Sequence, residues 1–246
     1  MPSGSVVSGV KATTIIARLT FKRLFRSKGI WFTFAMSLLP ILIATLGSRD
    51  SDTPKKVWDA VFGIGLLLYC IAPPIHLAST IAEEIEDKTF TYLWSRPFPR
   101  WSVITGKVLA LLPTLCVLFS ITFGLAFFMS YGDKASANTD MLMKGMTSLW
   151  LGMLAASCVC IGLGSIVPRF PLVVSIIYLL IIDIAISGIP AAVNHASVIY
   201  NMVVIAGLED KNSDTLTAVI SLLCISALWM SVAVWRIGRT EFQTDK

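Results

Sequence analysis

The stretch EEIEDKTFTYLWSRPFPRWSVITGK, residues Glu83–Lys107, is a dense charged segment in an otherwise apolar chain. Its first five residues include four acids, and four basic residues follow before it ends. Uncharged runs long enough to cross a bilayer lie on both sides of it, at residues 60–82 and 108–130. The pattern predicts a cytoplasmic connection between two membrane helices, with charges on which a partner can dock.

Composition places the whole chain in the membrane. Of its 246 residues 55% are hydrophobic and only 14% are charged, and the mean hydropathy is +0.77. A soluble domain of this length carries far more charge, so we expect an all-α integral membrane protein with a single transmembrane domain over residues 1–246. Six spans of sufficient length are predicted, at about residues 29–48, 60–82, 108–130, 145–168, 171–192 and 215–235.

The distribution of Lys and Arg predicts the orientation of these spans. With the N terminus inside, the cytoplasmic segments carry 14 basic residues and the outer segments carry 6. Both termini are therefore expected in the cytoplasm. The net charge of +5 reflects this bias toward anionic lipid headgroups and gives no reason to expect nucleic acid.

Two shorter segments have patterns of their own. Residues 8–28 predict an amphipathic helix on the inner membrane surface, although Ile15 and Leu19 interrupt its basic side. The apolar piece Ala196–Gly207, before the sixth span, is too short to cross, so we expect it to enter the outer leaflet and return. Prolines within the spans, among them Pro40, Pro73 and Pro113, predict kinks.

The five cysteines all lie inside apolar runs and are interpreted as small packing residues, with no metal site expected. A glycine spacing near the N terminus, Gly4 to Gly9, lacks the Gly-Lys-Ser/Thr ending of a phosphate-binding loop. The chain is therefore predicted to bind no cofactor itself and to have no catalytic residues.

The order of residues in the charged segment resembles the signature of ABC-2 type transporter permeases. The resemblance is carried by these residues: Glu84, Glu86, Thr89, Leu93, Arg96, Pro97, Arg100, Gly106 and Lys107. The SRPFPRW stretch is most similar to the bacterial subgroup named for multicopper-enzyme maturation or gliding. Outside the segment the likeness is one of architecture: six spans, internal termini and a basic N-terminal surface helix.

This resemblance implies a half-transporter, an exporter permease in a bacterial inner membrane. Segment 83–107 would hold the coupling helix that sits in a groove of a separate ATPase. ATP and Mg²⁺ would then belong to that partner, with two ATPase copies serving two permeases, the second permease being a copy or homologue. The residues that the resemblance assigns to ATPase coupling are Glu83, Glu84, Glu86, Asp87, Thr89, Arg96, Pro97, Arg100 and Lys107.

Two further polar residues, Asp183 and His76, lie within apolar runs and are candidates for the translocation path. A carboxylate in a span costs about 2.5–3.5 kcal/mol on insertion scales, so it normally faces protein or water. Asp183 is therefore either a hydrogen-bonded structural residue or a polar point on the path. It also supports the alternative function, an ion- or proton-coupled secondary transporter.

A third function, an intramembrane protease, has less support from the sequence. Glu83 and Glu84 partly resemble the paired glutamates of CAAX-type proteases, but neither His76 nor His195 has the phenylalanine spacing of that family. The sequence indicates no substrate for any of these functions.

Overall fold

The computed structural model describes residues 9–50, 54–78, 101–189, 192–209 and 214–239. Within them helices account for nearly all residues and no strand is present, which confirms the all-α class. The α-helices, in chain order, are α1 (Gly9–Leu24), α2 (Lys28–Ser37), α3 (Leu39–Asp50), α4 (Pro54–Pro73), α5 (Trp101–Tyr131), α6 (Thr139–Ile166), α7 (Pro171–Ile177), α8 (Asp183–Ser187), α9 (Val198–Ala206) and α10 (Thr215–Arg239).

Five helical stretches of the described structure are long and apolar enough to cross a membrane: Lys28–Ser48, Pro54–Leu77, Thr105–Lys134, Ser136–Ile166 and Thr215–Arg236. A shorter apolar helix, Pro171–Ser187, lies where the fifth of six spans is expected. A multi-pass membrane protein is therefore confirmed, while the count of six and the position of the termini stay predictions. The second span, α4, begins at Pro54, before the expected start at residue 60. Lys55, Lys56 and Asp59 interrupt the uncharged run of the sequence but not the helix.

Proline shapes two of these helices. The first span is divided because α2 ends at Ser37 and α3 begins at Leu39, with Pro40 in its first turn, where a proline ring is tolerated. After Pro73 the second span continues as a π-helical turn, Pro74–Ala78. The fifth helix, in contrast, runs through Pro113 without a break.

Helix α6 forms the centre of the described bundle. It contacts α4, α5, α7, α9 and α10, and every residue from 155 to 164 is buried. Small side chains at Ala155, Ala156 and Gly162 allow these neighbours to approach closely, as is typical of membrane helices. The centre of the described bundle is thus filled by α6 and its side chains.

Helix α9 has only nine residues, too few to cross a bilayer, and most of its residues are buried against α6 and α10. Gly207 ends it with φ +74°, and the N–H of Leu208 donates to the carbonyl of Val203 at 3.1 Å. This is the glycine-terminated helix end that satisfies the last carbonyls. Its length fits the expected re-entrant segment, but its depth in the membrane stays a prediction.

Helix α1 covers most of the expected surface helix and packs against α5. Ile15 and Leu19 are 55% and 63% exposed. The two residues that interrupt the basic side thus lie away from the packed face. The location of α1 on the membrane surface remains a prediction.

Helices α4 and α5 pack closely at Gly65, where an added Cβ atom would overlap the ring of Phe123. We expect Gly65→Ala to lower stability by about 1–3 kcal/mol, because the buried ring has no room to move. The measurement is thermal unfolding of the purified protein in detergent.

Gly63, two residues earlier on the same helix, is the matched control because an added Cβ there meets nothing within 4 Å. Gly63→Ala should be neutral or stabilising by up to about 1 kcal/mol. Equal melting temperatures for the two variants would contradict the close packing of α4 on α5.

Candidate functional site

Most of the predicted coupling segment lies outside the described residues. The candidates outside them are Glu83, Glu84, Glu86, Asp87, Thr89, Arg96, Pro97 and Arg100. Lys107 is described, and so are the two helices that lead into and out of the segment. The coupling role of all nine residues stays a prediction.

The exit from the segment is covered by the N-terminal helix. Lys107 lies in α5 and is only 5% exposed. At the neighbouring Gly106, an added Cβ atom would lie 3.0 Å from the Ile16 side chain and from the carbonyl oxygen of Thr13. The absence of a side chain at Gly106 thus allows α1 and α5 to approach closely, so a shift of the start of α5 would act directly on α1.

The entry to the segment is held by His76, in the π-helical turn that follows α4. Its side chain is 4% exposed, and its Nε2 atom lies 2.8 Å from Thr33 Oγ1 in α2. This buried hydrogen bond joins the base of the second span to the first span. The predicted place of His76 on the translocation path is not tested by this contact.

The described structure holds the chain on both sides of the segment. Leu77, six residues before Glu83, is 1% exposed, and the segment leaves through a helix that packs under α1. A connection whose two ends are held by packed helices can transmit a displacement, whereas a loop with free ends would absorb it.

Asp183 begins α8 and is completely buried. Its Oδ1 atom accepts a hydrogen bond from the backbone N–H of Val198 at 2.9 Å, and its Oδ2 atom accepts one from Ile199 at 3.0 Å. Both donors belong to the first turn of α9, where backbone N–H groups have no partner within the helix. A carboxylate suits that position because the N-terminal end of a helix is partly positive.

Further side chains hold the same short helix. Ser197 Oγ accepts from the N–H of Tyr200 at 3.2 Å, which caps α9. Asn201 Nδ2 donates to the carbonyls of His195 and Ser197 at 2.8 and 2.6 Å. From the central helix, Ser148 Oγ donates to the carbonyl of Met202 at 2.6 Å. The region around α9 is thus a hydrogen-bonded unit attached to α6 and α8.

Sequence reasoning missed Thr33, Ser148, Ser197 and Asn201. One signal was present, since Ser197 precedes an apolar helix in the position of an N-cap. The other three are single polar residues in apolar runs, and their partners are distant in sequence or are backbone atoms. No spacing rule marks such pairs.

The cysteines and other candidate ligands form no metal centre in the part of the chain that the structure describes, where no group of three or more His, Cys, Asp or Glu could hold an ion. Cys70 and Cys160 are buried in the core. The Cys70 thiol contacts the carbonyl of Leu179 at 3.5 Å, within the π-helical turn Tyr178–Ile182, where the regular helical bonds are interrupted.

A comparison with protein families gives a match to the family described as ABC-2 family transporter protein. It covers residues 19–185, which is more than half of the chain and includes the whole charged segment and Asp183. No curated protein matches the chain.

Asp183 provides a prediction about the attachment of α9. Asp183→Ala removes both acceptors and leaves two buried N–H groups unbonded, so we expect a loss of about 1–3 kcal/mol in stability. Hydrogen exchange at Val198 and Ile199 should accelerate while exchange in α6 stays slow. The measurements are thermal unfolding and hydrogen–deuterium exchange in detergent.

Ser187→Ala is the matched control, since Ser187 Oγ donates only to Ile184 within its own helix at 2.7 Å. Its effect should stay within about 0.5 kcal/mol. Unchanged exchange at the start of α9 in the Asp183 variant would show that the carboxylate does not hold this helix.

Proposed function

The chain belongs to the ABC-2 family of transporter proteins, and we propose that it is the permease subunit of an ATP-driven exporter that couples to a separate ATPase through segment 83–107. The observation that carries the proposal is the family match, because its range includes that segment together with the helices on both sides. Proteins of this family are membrane transport components, so the ATP chemistry is assigned to the partner, which would hold ATP and Mg²⁺.

The packing around segment 83–107 supports its proposed role in coupling. A movement of the ATPase would reach the first and second spans through His76 and Thr33, and would reach α1 through the start of α5. The four acids followed by four basic residues along the segment suit an orienting and reversible contact with the ATPase. A rigid-body movement of packed helices is the usual way to convert such a displacement into opening and closing.

We further propose that two permeases form the path between them, each bound to one ATPase. The described helices support this, because α6 fills the centre of the bundle and leaves the outer faces of the other helices for a partner and for lipid. Export, and residence in the bacterial inner membrane, follow the resemblance of the SRPFPRW stretch to its subgroup.

The alternative function, an ion- or proton-coupled carrier based on Asp183, finds no support in the family match. The carboxylate also has a structural task, because both of its oxygens accept backbone N–H groups of α9. A transport site there would need these bonds to exchange with a ligand in each cycle.

The coupling role is tested by reversing two charges in the segment. Glu84→Lys with Glu86→Lys should release the ATPase or reduce ATP-driven transport by about tenfold or more, since close charge pairs at interfaces contribute about 1.5 kcal/mol or more. The measurements are ATPase retention during purification and transport in proteoliposomes.

Asp133→Lys with Asp140→Lys is the control, because it makes the same charge change at exposed positions beyond the other end of α5. That helix has 31 residues, so its ends lie about 45 Å apart. The control should retain the ATPase and its transport. Wild-type binding and transport in the Glu84 and Glu86 variant would refute coupling through this segment.

The proposed assembly of two permeases and two ATPases is tested by measuring the mass of the purified complex. The permease co-purified with its ATPase should form a complex of two permeases and two ATPases in detergent, measured by light scattering or native mass spectrometry. A permease that stays monomeric and never retains the ATPase would contradict the proposal.

A further inference from the structure

A cavity of about 380 Å³ lies where α1 meets the first span. Its volume is within the range of about 300–1,000 Å³ that is typical of small-molecule sites. Three parts of the chain supply its polar wall: α1, the start of α2 with the turn before it, and the π-helical turn after α4. The polar side chains that line it are Thr20, Arg23, Ser27, Lys28 and His76.

The cavity is basic. Arg23 contributes a guanidinium group and Lys28 an ammonium group, and the described residues that line the cavity include no Asp or Glu. The hydroxyl groups of Thr20 and Ser27 add hydrogen-bond donors. Such a set of donors fits a phosphate group, which offers several charged oxygen acceptors.

One wall of the cavity is fixed by packing. His76 is held by its hydrogen bond to Thr33 at 2.8 Å. Gly29 faces the same ring, and an added Cβ atom there would lie 3.4 Å from His76 Cε1. The wall therefore has a defined position in the described structure.

The position of the cavity indicates a membrane source for the anion. Lys28 is the first residue of the first span, so the cavity lies at the end of a membrane helix. Phe25 and Trp31 flank it in sequence and are 54% and 67% exposed. Aromatic side chains in such places are typical of the headgroup region of a bilayer.

We propose that this cavity binds the phosphate-bearing headgroup of an anionic phospholipid. Lipid phosphates lie at this depth, and basic side chains near the surface favour anionic lipids. The bound headgroup would contact α1, α2 and the π-helical turn after α4 together. This inference does not depend on the ATPase.

The proposal is tested by lipid binding to the full-length protein. Purified protein is titrated with phosphatidylglycerol or phosphatidylethanolamine and analysed by native mass spectrometry. Wild type should prefer phosphatidylglycerol. Arg23→Gln with Lys28→Gln should bind it about tenfold more weakly or worse, since each basic residue near lipid phosphates contributes about 1 kcal/mol.

Lys22→Gln with Arg26→Gln is the matched control. It removes the same charge from the same region, but neither exposed residue lines the cavity. Its preference for phosphatidylglycerol should equal that of wild type. An equal loss in both double variants would indicate general surface attraction, and retained binding in the Arg23 and Lys28 variant would exclude the cavity.

Two further measurements separate the remaining explanations. Thr20→Leu places a larger side chain in the cavity without changing its charge, and it should also weaken phosphatidylglycerol binding. This variant tests the proposal if the double variant fails to fold. Inorganic phosphate and glycerol 3-phosphate are added as competitors. Displacement of the lipid by either at submillimolar concentration would identify a soluble anion as the ligand and overturn the lipid proposal.

Discussion

The hydrocarbon of a bilayer offers no hydrogen-bond partners, so every backbone polar group within it must be bonded inside the protein. A continuous spanning helix meets this constraint along most of its length, but a helix that begins and ends within the bundle does not. Helix α9 meets it at both ends: two carboxylate oxygens accept its first N–H groups, and Gly207 turns the chain so that the last carbonyls are bonded. Helices α6, α8 and α10 pack around it.

The same constraint explains how much of the fold could be predicted from the sequence. Uncharged runs of spanning length predict membrane helices because the bilayer requires them, and the structure confirms helices of this kind. The central place of α6 could not be predicted, because its sequence is apolar around its whole circumference and no periodic face marks its neighbours. Burial in a membrane bundle depends on small residues and shape, which hydropathy does not report.

For the candidate site, sequence patterns indicated which residues are unusual but not what they contact. Asp183 and His76 were identified as costly polar groups in apolar runs. Their partners were hidden for different reasons: Asp183 bonds backbone atoms, which carry no sequence signal, and His76 bonds Thr33, which lies 43 residues away. The coupling residues, except Lys107, lie outside the described structure and depend on the family resemblance.

The π-helical turn Pro74–Ala78 has a geometric consequence for the side chains within it. A π-turn holds about one residue more than an α-turn, so residues at its end are rotated by about 100° relative to a straight continuation of α4. The face that this turn presents to the first span, where His76 meets Thr33, therefore differs from the face that an uninterrupted α-helix would present.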